Sequence, residues 1–292
     1  MARVAIMTDS NSGITPQQGA ELGIAVLPMP IIVDGRTFYE NVDIFPEEFY
    51  RLQAEGHRIT SSQPSPASLI EMWGELLENN DEIVYIPMSS GLSGSCAAAE
   101  TLAKDYGGQV EVVDNHRISA LQLTAALDAK AMADSGCSAR AIKAVLLREA
   151  YDATIYITVD TLTYLRKSGR VTPAAAAVGS LLNIKPVLTI QGGKLDTHTK
   201  ARGKRAAFAQ MVKALKADLA GRLRDFRQNG QLMLAMAGTW MSEEERQGWL
   251  DRLQAEFPGE EILYTPLTLS IGCHTGAGAL GIGAVRRHPA QA

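Results

Sequence analysis

The chain lacks the markers of several common function classes. Its 292 residues include only three cysteines, Cys96, Cys137 and Cys273, widely spaced and without a CxxC pair. That argues against a disulfide framework or a zinc site and fits a reducing compartment. The longest greasy segment, residues 174–182, falls far short of the roughly 20 residues a bilayer-spanning helix needs. The opening Met1-Ala2-Arg3-Val4-Ala5-Ile6-Met7-Thr8-Asp9 reads as a strand and lacks a signal peptide's apolar core and cleavage site. A cytoplasmic protein is expected. Charge of either sign is not in excess: 28 basic residues face 32 acidic ones, a net of −4. No global attraction to nucleic acid follows. A GxGxxG is missing after the first strand and GxxxxGK[ST] occurs nowhere, so dinucleotide and P-loop sites lack support. HExxH and EF-hand patterns are missing too, and no metal or cofactor is expected.

What is present is an ordinary globular composition, 46% apolar and 21% charged, on a chain longer than one typical domain. Two domains are expected, 1–157 and 158–292. In the first, short apolar runs at 4–7, 24–27, 31–33, 83–88 and 110–113 read as strands. Helical patterns at 16–22, 46–55, after Ser65-Pro66, and at 96–105, 120–134 and 139–149 separate them. This alternation predicts a parallel sheet covered on both faces. A strand at 154–159 and a short helix at 162–167 lead into the second domain. There the pattern predicts a helix near 174–182 and a hairpin from 186–190 through Gln191-Gly192-Gly193 to 194–197. A long helix over 203–228 follows, then strand 232–237, helix 243–256, strands 262–267 and 279–285, and a frayed tail at 286–292. The fold class is therefore α/β, with an N-terminal parallel sheet and a C-terminal mixed sheet.

Three polar loops carry candidate chemistry. Ser89-Ser90-Gly91-Leu92-Ser93-Gly94-Ser95 lies between a buried strand and an alanine-rich helix. Ligands of open α/β sheets bind at that strand end, and the helix N-terminus presents unpaired N–H groups there. Converging hydroxyls and close-approaching glycine backbone suit an oxyanion. The alternative is a serine cap with turn glycines. In Thr60-Ser61-Ser62-Gln63-Pro64-Ser65-Pro66, Ser65 serves as a cap, while Ser61 and Ser62 are free to face a ligand. Ser270-Ile271-Gly272-Cys273-His274-Thr275-Gly276-Ala277-Gly278 reads as a glycine-rich loop around a histidine. That imidazole can donate to a carboxylate or act as a base near neutral pH. Asp9-Ser10-Asn11-Ser12 suits a ligand loop or a turn cap equally. The basic run Lys200-Ala201-Arg202-Gly203-Lys204-Arg205 sits at a helix start, the wrong end for cations, and hints at an anionic partner. Leu165-Arg166-Lys167-Ser168-Gly169-Arg170 reads as a helix C-terminus with a glycine stop. One enzyme reading competes. Gly91-Leu92-Ser93-Gly94-Ser95 is one residue from a GxSxG elbow, with Ser93 as nucleophile and His274 as base of an esterase. Its acid is unassigned, Asp114 being merely at a strand end.

Together the segments resemble the DegV family, bacterial fatty-acid-binding proteins that include the binding subunits of fatty acid kinase. The resemblance spans nearly the whole chain. It rests on Thr8-Asp9-Ser10, the TSQPSP-like Ser61-Ser62-Gln63-Pro64-Ser65-Pro66, the SSxLSGT-like serine loop and the LxKxGR-like run ending at Arg170. Leu181-Leu182-Asn183-Ile184-Lys185-Pro186 and an IGxHxGPG-like Ile271-Gly272-Cys273-His274-Thr275-Gly276-Ala277-Gly278 complete it. The resemblance implies a fatty acid in a tunnel between two α/β domains, with its carboxylate on Ser61, Ser93 and His274. The Gly94 N–H would assist, with Ser62 and Arg202 near the head group or a docking kinase. That kinase would be a separate, dihydroxyacetone-kinase-like subunit, and the carrier itself would have no catalytic residue. Partners would be the fatty acid and the kinase, without nucleic acid, a transient touch of a membrane surface aside. Serine replaces threonine at 61 and 95, and alanine replaces proline at 277. Serine keeps the hydroxyl at 61 but loosens its rotamer.

Overall fold

The computed structural model describes residues 2–177 and 184–288. β1 (Val4–Asp9) leads to α1 (Pro16–Leu22), whose start is fixed by a reciprocal capping box between Thr15 and Gln18. β2 (Ile24–Leu27), β3 (Pro30–Val33) and β4 (Arg36–Tyr39) follow, then α2 (Pro46–Ala54) and β5 (Ile59–Ser61). Ser65 caps α3 (Pro66–Leu77), and β6 (Glu82–Ile86) enters the serine loop. α4 (Ser95–Ala103), β7 (Val110–Val112), α5 (Ala120–Asp134) and α6 (Ala139–Arg148) complete the first half.

Four of these strands form the expected parallel sheet, in the order β2-β1-β6-β7. Alternate side chains serve its two faces. Ile6, Val84 and Ile86 pack on α5 and α6, and Met7, Ile83 and Tyr85 pack on α3 and α4. A second, three-stranded antiparallel sheet, β4-β3-β5, stands apart. Its outer strands are short and half-exposed, so no apolar run announces them. It matters because Ser61 is the last residue of β5.

The second half begins with β8 (Ala153–Thr158), α7 (Thr163–Ser168) and α8 (Pro173–Ala176). Next come β9 (Ile184–Ile190), β10 (Asp196–Arg202), α9 (Lys204–Ala220) and α10 (Arg224–Gln228). β11 (Leu232–Gly238), α11 (Glu243–Glu256), β12 (Ile262–Pro266), α12 (Leu269–Thr275) and β13 (Leu280–Arg286) finish the chain. Its sheet is mixed, β10-β9-β8-β13-β11-β12, with only the β11–β12 pair parallel.

Several expectations need adjusting. A break after residue 157 cuts through β8, so sheet membership puts the change of domain between α6 and β8. The long helix expected over 203–228 stops at Gly221, whose ψ of −110 is not helical, and resumes as α10. Of the helix expected over 174–182, α8 is the described part; residues 178–183 lie outside the described residues, as do 289–292 of the tail. Arg286 itself is the last residue of β13 and pairs with Asp152 and Glu149. His274 lies in the last turn of a helix, α12, not in a loop.

α5 joins the two halves. Ten of its fifteen residues are buried, which a helix achieves only when it is covered on opposite sides. Leu123, Ala126 and Ala129 meet the parallel sheet, while Ala120 and Leu121 meet Met233, Ala235 and Val285 of the mixed sheet. The other face of the mixed sheet packs on α9 and α11 through Tyr156, Met236 and Ile282.

A buried polar cluster ties the antiparallel sheet to α12. Fully buried Glu40 accepts from Ser10 Oγ at 2.7 Å and from the Leu269 N–H at the start of α12. Burial outweighs these bonds and pushes its carboxyl up to about 7, with the nearby Asp9 adding to the rise. The folded state then holds a proton that the unfolded chain releases near 4.5. Stability is therefore highest below that value and declines until pH passes about 7. Urea unfolding at about pH 5 and about pH 8 should show wild type losing up to about 3 kcal/mol more than Glu40→Gln across this range. Equal losses in the two proteins would contradict this account.

Candidate functional site

Register across the mixed sheet explains an internal cavity. Residues paired on adjacent antiparallel strands share a face, so one row reads Ile190, Ile155, Gly283, Ala235. The next row toward α12 reads Ile157, Gly281, Ala237. Glycine and alanine on β13 and β11 leave a trough in the face that looks toward α5. These residues line a cavity of about 100 Å³ that opens to solvent. Leu121, Leu165, Leu195, Leu267 and Ile271 add to an aliphatic wall.

Polar groups gather at one end. β5 delivers Ser61 and α12 delivers His274, and Ser61 Oγ lies 2.8 Å from His274 Nε2. Ser62, Gln63, Ser93 and Arg170 line the same cavity. Arg170 follows the glycine that ends α7; its Nε donates to the Leu92 carbonyl at 3.3 Å and its Nη1 to the Ser168 carbonyl. This places a guanidinium between the serine loop and α12. Ser93 Oγ lies 2.8 Å from Ser95 Oγ and accepts from the Ser95 N–H at 3.2 Å. Gly94 opens α4 without a capping side chain, beside the Gln63 amide, which occupies the place a Cβ would take. A hydroxyl pair, an imidazole and a guanidinium at the mouth of an aliphatic trough suit an amphiphile with an anionic head.

The family model described as "Uncharacterised protein, DegV family" matches residues 3–287. The chain belongs to the DegV family. A DegV domain-containing protein of Deinococcus radiodurans is 33% identical over 284 residues, covering 96% of this chain and 97% of that one. Among solved structures, a fatty-acid-binding DegV family protein from Thermus thermophilus superposes with a TM-score of 0.85 at 31% identity, covering 97% of this chain and 99% of that one. DegV of Bacillus subtilis, a fatty acid binding protein, superposes with a TM-score of 0.83 at 26% identity, covering 98% and 100% of the two chains. The two-domain α/β architecture is thus the DegV fold.

Against the DegV residues expected from sequence, the structure brings Ser61, Ser62, Ser93 and His274 to one cavity. Two others are elsewhere. Gly94 is exposed behind Gln63 and outside the lining, and Arg202 points to solvent at the end of edge strand β10. Arg170 and Gln63 are the additions. Arg170 closes the LxKxGR-like run, but as a helix stop it needed no further explanation. Gly281 and Gly283 stand two apart in a strand, a spacing that signals one bare face. The esterase constellation is not assembled: the Ser93 hydroxyl pairs with Ser95, and the imidazole pairs with Ser61. His274 Nδ1 has no partner among the described residues, so no carboxylate orients it.

Burial, and then the Arg170 charge, push the His274 imidazole down to about 4, so it is neutral near pH 7. Neutral imidazole offers one donor, and an arriving anion offsets the Arg170 charge. Imidazole nitrogen NMR should follow His274 titrating near pH 4 in the empty protein, and at a higher pH in Arg170→Gln. An unperturbed titration that ignores the Arg170 substitution would contradict this electrostatic picture.

Proposed function

We propose that this DegV chain carries a long-chain fatty acid between its two domains and presents the carboxylate to a separate kinase, acting in the cytoplasm. The observation that carries the reading is the two-part lining, an aliphatic trough ending at Ser61, His274, Ser93 and Arg170. Each methylene buried there contributes about 0.8 kcal/mol, so a long acyl chain gains on the order of 10 kcal/mol before association costs. A carboxylate leaves water only where hydrogen bonds and charge replace its hydration. Two hydroxyls, an imidazole N–H and the guanidinium supply both. The fatty-acid-binding relatives from Thermus and Bacillus support the same assignment.

In the kinase step a carboxylate oxygen attacks the terminal phosphorus of ATP, forming the acyl phosphate and releasing ADP. The head group must therefore be reachable from outside, and exposed Ser62 lies at the rim. Arg202 pairs with Ile184, beyond the Val187–Thr158 pair, at the same end of the mixed sheet's strands as β13's start. With exposed Arg205 it offers an acidic kinase surface a docking point.

Solvent extraction of protein purified from a bacterial host should release close to one fatty acid per chain; a lipid-free protein would overturn the reading. Ser61→Ala and Arg170→Gln should each weaken binding roughly 5- to 150-fold, the cost of about 1–3 kcal/mol for a buried group left unpaired. Gly281→Leu tests the trough separately. A Cβ at Gly281 meets nothing closer than 3.5 Å, so the backbone accepts a side chain there, and it points into the cavity Gly281 lines. That variant should fold and come out of the host with its lipid largely lost. Nitrophenyl esters should show no Ser93-dependent hydrolysis.

A further inference from the structure

The loop that carries Ser93 joins β6 to α4 without regular structure, so its anchors decide where the hydroxyl stands. Ser89, fully buried, is the hub of the loop. Its carbonyl accepts from the N–H groups of Leu92 and Ser93, at 3.0 and 3.2 Å, which registers Ser93 against Ser89. Ser89 and Ser90 are bonded in turn to the connector between β7 and α5, residues 113–119. The Ser89 N–H donates to the Arg117 carbonyl at 3.0 Å, and the Ser90 N–H donates to Asp114 Oδ1 at 3.2 Å. Among the described residues, Asp114 is the only side chain outside the loop that accepts from a loop N–H. The same oxygen accepts from the His116 N–H at 3.2 Å, a turn that closes the connector on itself.

The connector is a firm support. His116 stands at φ +56 and Ser119 at φ +57 with ψ −141, regions in which a residue with a side chain stays only where its surroundings over-determine it. Those surroundings are present. The Arg117 guanidinium, 2% exposed, grips the carbonyls of Glu149 and Ala150, and the Ser119 N–H donates to the Asn11 carbonyl at 2.9 Å. The His116 ring stacks on Tyr151 with centroids 4.9 Å apart. Ser90, by contrast, is exposed, and water would satisfy its N–H without Asp114. Such a bond adds little to the stability of the fold. What it does is hold the loop in one place against a fixed support.

We propose that Asp114 is a positioning residue for the head group: by taking the Ser90 N–H it seats the serine loop on the connector and so sets Ser93 for the fatty-acid carboxylate. Asp114 lies outside the cavity lining and acts through Ser93. It serves as an acceptor at a fixed place and not as a charge, since a second anion behind the loop does nothing to attract a carboxylate. This rests on the fatty-acid reading above and adds a residue that supports the groups touching the ligand.

The test uses delipidated protein and displacement of a fluorescent fatty acid by hexadecanoic acid, oleic acid and the alcohols of the same chains. Asp114→Ala should weaken the acids at least about fivefold, as loss of a hydrogen-bonding partner does, and reproduce the profile of Ser93→Ala. Its affinity for the alcohols, which have no carboxylate, should change by less than about twofold, and circular dichroism checks the fold. Asp114→Asn keeps Oδ1 and should bind the acids at least as tightly as wild type. Asp114→Glu keeps the charge but moves the acceptor, and should lose acid binding as alanine does. Added to Ser93→Ala, Asp114→Ala should cost less than about a further twofold, because one acts through the other. Equal losses of acid and alcohol, an asparagine variant as weak as alanine, a glutamate variant that binds like wild type, or full additivity with Ser93→Ala would overturn the positioning role alone. A wild type that binds neither acid would overturn the carrier reading and the positioning role with it.

Discussion

A sheet face furnished with full-sized side chains would close against α5 and leave no room inside. Here β13 contributes Gly281 and Gly283, and β11 contributes Ala235 and Ala237, in two adjacent rows. α5 meets the sheet through Val285 and Met233 one row further on and through Ala235 at the rim of these rows, where the small residues leave room beneath it. The stability cost of an unfilled trough is the familiar one of lost burial and lost contacts. An amphiphile lying in the trough recovers both, which is why the same rows that weaken the empty core define a binding site.

The polar end depends on a different constraint. Ser61 and His274 belong to distant segments, and a 2.8 Å contact between them requires β5 and α12 to be fixed relative to each other. That is the work of the buried cluster around Glu40, which holds the start of α12, and of Ser270, which bonds to Asn11. Gln53 reaches the Gly272 carbonyl as well, at 3.2 Å. The antiparallel sheet and α2 thus act as a bracket for the histidine helix. Arg170 approaches from the other side, just past the end of α7, which packs directly against α12. The site is built by three separate pieces of chain, and its electrostatics are collective: burial first, and then one guanidinium, keep one imidazole neutral.

Much of the architecture could be read from the sequence because it follows from strong local signals. Thr15-Pro16 and Ser65-Pro66 start helices as expected, and the β/α alternation of the first half gives its parallel sheet. The order of polar motifs pointed to the DegV family. What escaped was set by tertiary context. β4 and β5 have no apolar run, since they pair at the surface. The glycines flanking His274 suggested a loop, yet Gly272 is helical, and it is a glycine because Tyr50 and Phe49 occupy the space a side chain would need. Arg170 satisfied a helix-end rule completely, so nothing local marked it as a cavity residue. The glycines of β13 were visible as composition, but their meaning needed the register of three strands.

The most direct test is a crystal structure of the protein with a bound long-chain fatty acid. The account predicts the carboxylate within hydrogen-bonding distance of Ser61, His274 and the Arg170 guanidinium, with the acyl chain over Gly281 and Gly283 and its methyl end at Leu121, Ile155 and Ile190. A ligand bound in the reverse direction, or lying outside this trough, would contradict it.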